Sequence, residues 1–384
     1  MKKLFAALAA TLLSFSLALP AQAQSLPPPT IAAKSWLLLD ATSNQIIASQ
    51  DPDMRVEPAS LVKIMTAYLT FAAIGEKKLA LDQKINVSVR AWKVDSDSSK
   101  MFIDPATPVS IDDLLHGLII QSGNDAAVAL SEAVAGTEDA FVVMMNRKAE
   151  RMGMKSTRYA NAHGLPSPDN YTTARDLAIL ASRMVNDFPE LYKIYSNKSF
   201  TYNKITQPNR NRLLFLDPTV DGMKTGHTQA AGYCLISTAK RPNNGSDRRI
   251  DSVVLGTASD SIRAQESSKL LNWGFLNFDT VKLYAKDQAV DTPAIWKGSQ
   301  STIKLGFNRD VYVTVPRGTA ARMKPVFERK DPLVAPIAVN AQVGVMKLVA
   351  DGKTITEMPV LALEQVNQAS IFGRAWDSIR LMMK

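Results

Sequence analysis

A serine and a lysine three residues apart, Ser60 and Lys63, are the pair in this chain whose types and spacing best suit covalent chemistry. Pro58 suits the first turn of a helix, and the run 64–69 that follows is mostly apolar. Residues at i and i+3 share a helix face, so the amine would lie beside the hydroxyl. Burial would lower the pKa of Lys63, and the neutral amine could then take the proton of Ser60 as the hydroxyl attacks an acyl group.

The same spacing occurs at Ser301 and Lys304, in a segment that alternates like a strand. For this second pair we expect no function. An isolated pair of this kind is more often a serine that caps a helix and a lysine in solvent. The spacing therefore identifies a nucleophile only in combination with other motifs.

Two further motifs follow along the chain. Ser122-Gly123-Asn124 lies between an apolar run, 114–120, and an alanine-rich helical stretch, 126–135. Such a turn can simply cap a helix. It can also aim a hydroxyl and an amide into a cleft, where Ser122 would relay a proton to the leaving amine and Asn124 would hold the substrate backbone.

The third motif, Lys224-Thr225-Gly226-His227, precedes the strand-like run 233–236 and is predicted to lie on a strand. Lysine and threonine on a strand are usually surface residues. In a cleft, Lys224 would supply positive charge for a substrate carboxylate and Thr225 a hydrogen bond. A side chain at Gly226 would keep an extended peptide from adding alongside the strand.

These three motifs, in this order, resemble those of the penicillin-recognising serine acyl transferases. The segments 59–66, 121–126, 163–165 and 220–228 resemble D-alanyl-D-alanine carboxypeptidases, the low-molecular-mass penicillin-binding proteins of bacterial envelopes. The resemblance runs through most of the mature chain. It implies a catalytic group consisting of Ser60 as the acylated nucleophile, Lys63 as its base, Ser122 as a proton relay and Asn124 as an ordering residue.

The same resemblance implies the substrate-binding residues. Lys224 and Thr225 would bind the substrate carboxylate, and Arg263 falls where the family places an arginine that meets this carboxylate. The backbone N–H groups of Ser60 and His227 would form the oxyanion hole. No metal or organic cofactor is implied.

The implied activity is removal of the terminal D-alanine from peptidoglycan stem pentapeptides, with beta-lactam antibiotics acylating the same serine. Two alternatives remain open: a DD-endopeptidase that cuts cross-links, and a non-catalytic scaffold that binds the wall. No Glu-x-x-Leu-Asn segment follows Ser122, so a class A beta-lactamase is not predicted and slow release of a beta-lactam is expected. Three histidines without a His-Glu-x-x-His segment offer no zinc site.

The N-terminal segment predicts export. Residues 1–23 combine Lys2 and Lys3, an apolar stretch over 4–19, and a small-residue cleavage site at 21–23, all typical of a secretion signal. We expect a mature chain that starts at Gln24 and is periplasmic, although an uncleaved membrane anchor is the alternative. The single cysteine, Cys234, excludes an internal disulfide.

Composition indicates an ordinary globular protein. The 384 residues are 46% hydrophobic and 21% charged, enough for two domains of ~150 residues each. The formal net charge of +9 includes Lys2 and Lys3, so the mature chain carries +7. The chain has no cluster of Lys and Arg interleaved with aromatics, so nucleic-acid binding is not predicted. The net positive charge suits anionic lipid headgroups and acidic wall polymers.

The pattern of elements predicts an α+β fold. We expect strands over 35–40, 45–49, 220–226, 232–239 and 250–256, a buried helix over 60–73, a mostly helical region over 111–186, a helix over 261–275 and a polar hairpin tip over 242–249. With the resemblance, this predicts a beta-lactamase/transpeptidase-like domain over 24–282, an antiparallel sheet with helices plus a mostly helical layer. The cleft is expected where the sheet meets that layer.

The rest of the chain predicts a smaller all-β domain over 283–363, with a hairpin turn at Asp351-Gly352 and no catalytic motif. We interpret it as a spacer or packing module, and a partner-binding role remains open. Within 364–384, one helical face carries Ile371, Phe372, Ala375, Trp376, Ile379, Met382 and Met383. This helix is too short and too charged for a span of ~20 apolar residues. It suits peripheral binding to the outer face of the cytoplasmic membrane, and docking on the protein's own second domain is the alternative.

Overall fold

The structure is a computed structural model that describes residues 27–95, 98–243 and 246–383. The predicted secretion signal, residues 1–23, lies outside the described residues. None of the helices within these ranges is both long enough and apolar enough to cross a bilayer.

Helices and strands lie where the sequence patterns predict them, and further short elements that were not predicted lie between them. The helices are α1 Val62–Gly75, α2 Val89–Trp92, α3 Ile111–Ile120, α4 Asn124–Ala135, α5 Glu138–Met152, α6 Ala174–Asp187, α7 Pro189–Tyr192, α8 Leu213–Leu216, α9 Asp260–Asn277 and α10 Ile371–Met382. The strands are β1 Ser35–Asp40, β2 Gln45–Gln50, β3 Lys84–Ile85, β4 Val109–Ser110, β5 Ser199–Tyr202, β6 Ile205–Pro208, β7 Val220–Thr228, β8 Gly232–Asn243, β9 Ser246–Thr257, β10 Phe278–Tyr284, β11 Ala289–Asp291, β12 Ile295–Trp296, β13 Leu305–Gly306, β14 Val311–Pro316, β15 Lys324–Arg329, β16 Leu333–Val334, β17 Gln342–Ala350 and β18 Lys353–Ala362. Turns of 3-10 helix lie at Ala59–Leu61, Lys193–Ser196 and Ala320–Arg322.

The central sheet is antiparallel, with strand order β2-β1-β9-β8-β7. Side chains of a strand alternate between its two faces, and β1 is buried on both. Leu37 and Leu39 pack into a large core with α1, α3 and α4, whereas Trp36 and Leu38 pack into a second core with α9. The sheet is therefore enclosed between a helical layer and α9, which confirms the predicted α+β class.

The helix that carries Lys63 is buried on nearly every side. The polypeptide enters it through the 3-10 turn Ala59–Leu61, and α1 then runs to Gly75, two residues beyond the predicted end. All residues from Val62 to Phe71 are buried. A helix that is apolar all round must lie in a core, and this one forms the centre of the helical layer.

The hairpin between β8 and β9 is longer than predicted. Pairing continues outward to Asn243 and Ser246, so the prediction of a polar tip over 242–249 is wrong. Arg248 is buried there, and its guanidinium donates to Asp40 Oδ2 at 2.7 Å and to the Phe278 carbonyl at 2.6 Å. Polar residues that pair with distant parts of the chain look the same in sequence as polar residues in solvent.

Beyond α9 the chain is mainly strand. A second sheet has the order β11-β13-β18-β17-β15, and β17 and β18 form the predicted hairpin with its turn at Asp351-Gly352. This region has its own apolar core, which confirms a separate β-rich domain. The domain boundary at 282/283 falls inside β10 and stays a prediction.

Candidate active site

Ser60 and Lys63 face each other at the start of α1. Lys63 Nζ lies 3.1 Å from Ser60 Oγ and donates to the His163 carbonyl at 2.5 Å. Ser60 is on the 3-10 turn, directly after Ala59, whose φ of 49° is in the left-handed region. The backbone strain at Ala59 places Ser60 at the mouth of a cleft, while Lys63 lies one turn deeper.

Burial changes the chemistry of this lysine. The side chain of Lys63 is 1% exposed, and loss of hydration lowers its pKa to about 7. The positive charge of Arg210 lowers this pKa further, and the negative charge of Asp125 opposes both effects. A large share of the lysine is therefore an unprotonated amine near neutral pH, and only that form can accept a proton.

The turn between α3 and α4 places Ser122 and Asn124 in the same cleft. Ser122 has a φ of 64°, and its buried hydroxyl has no hydrogen-bond partner among the described residues. A buried, unpaired hydroxyl costs free energy unless a ligand or solvent satisfies it. Asn124 is also buried, and its backbone N–H donates to the Ser99 carbonyl at 2.8 Å.

Strand β7 is the edge of the central sheet and brings its motif to the cleft. Thr225, Gly226 and His227 line the cleft, and Lys224 is buried beneath them. Burial holds the pKa of Lys224 well below its usual range, and the charge of Lys63 adds to the shift. The ring of His227 packs on Tyr233, its cross-strand partner, with ring centroids 4.0 Å apart.

The structure shows a tight packing contact at Gly226 that the sequence argument did not include. A Cβ at this position would lie 3.2 Å from both Leu61 Cγ and the Pro58 carbonyl oxygen, in the turn that carries Ser60. The close contact is with the turn that carries Ser60, and the expected effect of a side chain here on an incoming peptide stays a prediction. Glycine lets β7 pack tightly against Ser60.

Arg263 reaches the cleft from the opposite side of the sheet. It lies in the first turn of α9, is buried, and donates to the Gly226 carbonyl at 3.2 Å. Its guanidinium also pairs with Asp260. Burial lowers the pKa of Arg263, which still remains a cation beside the end of β7.

A second arginine in the cleft, Arg210, was missed by the sequence analysis. It lies on the loop between β6 and α8, and its charge lowers the pKa of both Lys63 and Lys224. The loop is held by buried Asn209 and Asn211, because Asn209 Oδ1 accepts the Asn211 N–H at 2.9 Å and Asn211 Oδ1 accepts the Leu213 N–H at 3.1 Å. The signal available in the sequence was an arginine between two turn-forming asparagines.

Asp125, the residue after the Ser122-Gly123-Asn124 motif, holds a neighbouring loop in place. Its buried carboxylate accepts the backbone N–H groups of Met101, Phe102 and Ile103 at 3.0, 2.8 and 3.3 Å. This fixes the end of the loop whose earlier residues, Ser98 and Ser99, line the cleft. Asp125 also acts on Lys63, because its negative charge raises the pKa of that lysine against the effect of burial.

The loop 161–165 closes the cleft beside α1. Gly164 has a φ of 86°, and a Cβ there would lie 1.9 Å from the Ala59 carbonyl oxygen, so this position requires glycine. His163 orders this loop, because its Nδ1 accepts the Leu165 N–H at 3.1 Å.

Together these elements build one cleft of about 380 Å³ between the edge of the sheet and the helical layer. All nine sequence-predicted site residues meet at it. Seven of them line it, namely Ser60, Ser122, Asn124, Thr225, Gly226, His227 and Arg263, and the two lysines lie directly beneath. A hydroxyl beside a buried amine of lowered pKa, a second hydroxyl without a hydrogen-bond partner and two arginine cations suit acyl transfer from an anionic substrate.

Comparison with known proteins gives consistent matches. The family described as D-alanyl-D-alanine carboxypeptidase matches residues 21–259, and the family described as penicillin-binding protein 5, C-terminal domain, matches residues 278–368. D-alanyl-D-alanine carboxypeptidase DacC of Escherichia coli (strain K12) is 41% identical over 367 residues, which cover 94% of this chain and 90% of the relative.

Solved structures also match the chain. Penicillin binding protein 5 from Haemophilus influenzae superposes with a TM-score of 0.86 and 40% identity, covering 89% of this chain and 100% of that chain. Penicillin-binding protein D2 from Listeria monocytogenes in its ampicillin-bound form matches with a TM-score of 0.58 and 30% identity, covering 65% of this chain and all of that one.

Proposed function

Because the chain belongs to the D-alanyl-D-alanine carboxypeptidase family, we propose that Ser60 is its acylated nucleophile and Lys63 the base that activates it. The family membership and the transpeptidase-like fold predicted from the three motifs are confirmed by the matches. The protein is accordingly a serine-type DD-carboxypeptidase. The observation that carries the assignment of residues is the 3.1 Å contact between an almost fully buried amine and a hydroxyl at the cleft.

The reaction proceeds through two acyl transfers. Ser60 Oγ attacks the carbonyl carbon of the penultimate D-alanine, and its proton moves to Lys63 Nζ. The C–N bond then breaks, and the amine of the terminal D-alanine leaves with a proton relayed through Ser122. Water next attacks the ester carbonyl, which releases the shortened peptide and returns the proton to Ser60.

The groups around Ser60 and Lys63 bind the negatively charged parts of the substrate and of the reaction intermediate. The backbone N–H groups of Ser60 and His227 stabilise the oxyanion, and Asn124 orders the substrate backbone. Lys224, Thr225 and Arg263 bind the terminal carboxylate, and Arg210 joins them because it lines the same cleft. The two arginine cations favour peptides with a free C-terminal carboxylate.

The deciding experiment uses a fluorescent penicillin as the acylating probe. Ser60→Ala should abolish covalent labelling, and Ser301→Ala is the matched control because Ser301 begins a tetrad with the same serine-lysine spacing at an exposed site. Peptide mapping of the penicilloyl adduct should locate it at Ser60. Undiminished labelling of Ser60→Ala would reject the proposal.

Product analysis separates the remaining activities. Free D-alanine released from a pentapeptide marks the carboxypeptidase, whereas cleaved dimers from cross-linked peptidoglycan mark the endopeptidase. Absence of any hydrolysis of a diacyl-D-alanyl-D-alanine peptide by the folded protein would favour the wall-binding scaffold instead.

The membrane role of α10 is supported by the way this helix docks. Its polar side contacts the β-rich domain, where Asp377 accepts the Lys297 N–H at 2.6 Å and the Arg380 guanidinium lies 5.9 Å from the centroid of the Trp296 ring. Its apolar side is open, with Phe372 88% and Trp376 63% exposed. An exposed apolar helix face next to cationic residues suits the headgroup region of an anionic membrane.

This leads to a location at the membrane surface. We expect cleavage of the signal before Gln24, which N-terminal sequencing of the mature protein would test, and peripheral binding to the outer face of the cytoplasmic membrane. Removal of residues 370–384 should shift the protein from sedimented anionic vesicles to the supernatant. Retention of the truncated protein on vesicles would contradict the role of α10.

A further inference from the structure

Glu138 is a buried acid that the reaction does not use. It is the first residue of α5, where acidic side chains are favoured by the helix dipole but are ordinarily solvent-exposed. Its side chain is only 4% exposed. The next residue, Asp139, is also acidic and is exposed, so the helix dipole alone does not account for the burial of Glu138.

The carboxylate of Glu138 contacts the loop 161–165. Oε1 accepts the Ala162 N–H at 3.0 Å and lies 3.4 Å from His163 Nε2. Oε2 pairs with the guanidinium of Arg90, which is exposed to solvent. The buried charge is thus compensated, and both of its oxygens are engaged.

The ring of His163 presents a proton to this carboxylate. Because Nδ1 accepts the Leu165 N–H, it carries no proton, and the neutral ring must carry its proton on Nε2, the atom that faces Glu138. Burial lowers the pKa of His163 to about 4, and the charges of Lys63 and Arg90 act in the same direction against that of Glu138. The ring therefore stays neutral in the pH range of the reaction.

The opposite side of the same loop holds the base. The His163 carbonyl accepts from Lys63 Nζ at 2.5 Å, and the Ala162 carbonyl accepts from Thr66 Oγ1, one helical turn along α1, at 2.6 Å. A single peptide segment therefore contacts α1 with its carbonyls and Glu138 with its N–H and ring. A shift of the segment would move the acceptor of Lys63.

We propose that Glu138 is a positioning residue for the base: by holding Ala162 and His163 it fixes the carbonyl that aims Lys63 Nζ at Ser60 Oγ. The inference rests on the proposed roles of Ser60 and Lys63. Arg90 supports it by neutralising the carboxylate. Glu138 itself touches neither the substrate nor the reacting atoms.

The test measures the acylation rate constant with the fluorescent penicillin, together with the fraction of molecules that become labelled. Glu138→Ala should lower the rate constant on the order of 10²-fold, since small misplacement of a catalytic group has effects of that size. Glu138→Gln should recover most of the rate, because its amide oxygen can still accept the Ala162 N–H. Asp139→Ala, the exposed neighbour, should leave the rate unchanged.

The pH profile separates positioning from mere folding. The His163 carbonyl stabilises the ammonium form of Lys63 more than the amine. Displacement of this carbonyl in Glu138→Ala should therefore lower the pKa of Lys63, and the acidic limb of the pH profile, where the acylation rate constant falls as Lys63 is protonated, should move to lower pH. A purely structural role would reduce the labelled fraction but leave the acylation rate constant and the acidic limb of its pH profile unchanged. That result would overturn the inference. If Glu138→Ala does not fold, Glu138→Asp, which keeps the charge but is one methylene shorter, should show the same loss of rate.

The two proposals fail in different ways. If Ser60→Ala is still labelled, the assignment of the nucleophile is wrong. If Ser60→Ala is not labelled, while folded Glu138→Ala and Glu138→Asp are acylated at the wild-type rate, only the positioning role of Glu138 is wrong.

Discussion

Two tetrads of identical spacing, Ser60 to Lys63 and Ser301 to Lys304, lie in different environments. The first lies where the 3-10 turn enters α1, with the lysine buried and its amine 3.1 Å from the serine oxygen. The second lies in the β-rich domain, with both Ser301 and Lys304 exposed and only Ile303 buried between them. A helix brings residues three apart to one face, whereas an extended chain directs them to opposite sides.

The difference shows that environment, not spacing, makes a lysine into a base. An exposed lysine is protonated at neutral pH and cannot accept a proton. Around Ser60, burial removes water from Lys63, and Arg210 adds a repelling charge. The following predictions test this contrast in order of decreasing effect.

The largest effect is expected from replacing the buried lysine. Lys63→Arg keeps a cation that does not release its proton, so the acylation rate constant for a fluorescent penicillin should fall on the order of 10³-fold. Lys304→Arg is the matched control and should acylate at the wild-type rate. Equal rates in the two variants would mean that Lys63 is not the base.

The next effect concerns stability. The folded pKa of Lys63 is about 7, whereas the unfolded value is ~10.4, so between these values the unfolded chain binds more protons and stability rises with pH. The free energy of unfolding of Lys63→Met, relative to wild type, should therefore fall by on the order of a few kcal/mol between pH 7 and pH 10. Denaturant unfolding at both pH values measures this difference.

Lys304→Met is the control for this measurement. Its free energy of unfolding, relative to wild type, should hardly change between the two pH values, because Lys304 is exposed. A pH-independent difference for Lys63→Met would indicate that the buried lysine is not perturbed.

A smaller effect is expected from Arg210. Arg210→Ala should raise KM for a pentapeptide about tenfold through loss of a charged contact to the carboxylate. It should also move the acidic limb of acylation to higher pH by less than about one unit, because a charge that lowers the pKa of Lys63 is removed. Arg212→Ala is a suitable control, since Arg212 is exposed and pairs with Asp260. No change in either parameter would exclude Arg210 from the site.

Much of the fold could be predicted because its patterns are local. The apolar run of β1, the apolar run of α1 and the turn at Asp351-Gly352 each depend on neighbours in the sequence. The error at 242–249 has the opposite cause. Arg248 is buried by a partner more than 200 positions away, Asp40, and no local pattern encodes that pairing.

The residues of the candidate site also fall into two groups, those that a local motif identifies and those that only the fold brings together. The residues in short motifs were found from the sequence, although their roles remain proposals. Arg210, Asp125 and Glu138 were not found, because each acts across a distance in sequence: Arg210 on Lys63, Asp125 on the loop at 101–103, and Glu138 on the loop at 161–165. A charged residue without a motif looks like a surface residue until its neighbours in space are known.

The sequence by itself determined which residue types stand three apart, the order of the motifs, the alternation of strands and the apolar character of α1, since all of these are properties of neighbouring residues. Only the tertiary structure decided which of the two serine-lysine tetrads is buried, and which distant charges and carbonyls surround its amine. The physical reason is that a pKa depends on hydration and on charges within a few ångströms, and folding brings those groups together from parts of the chain about a hundred residues apart.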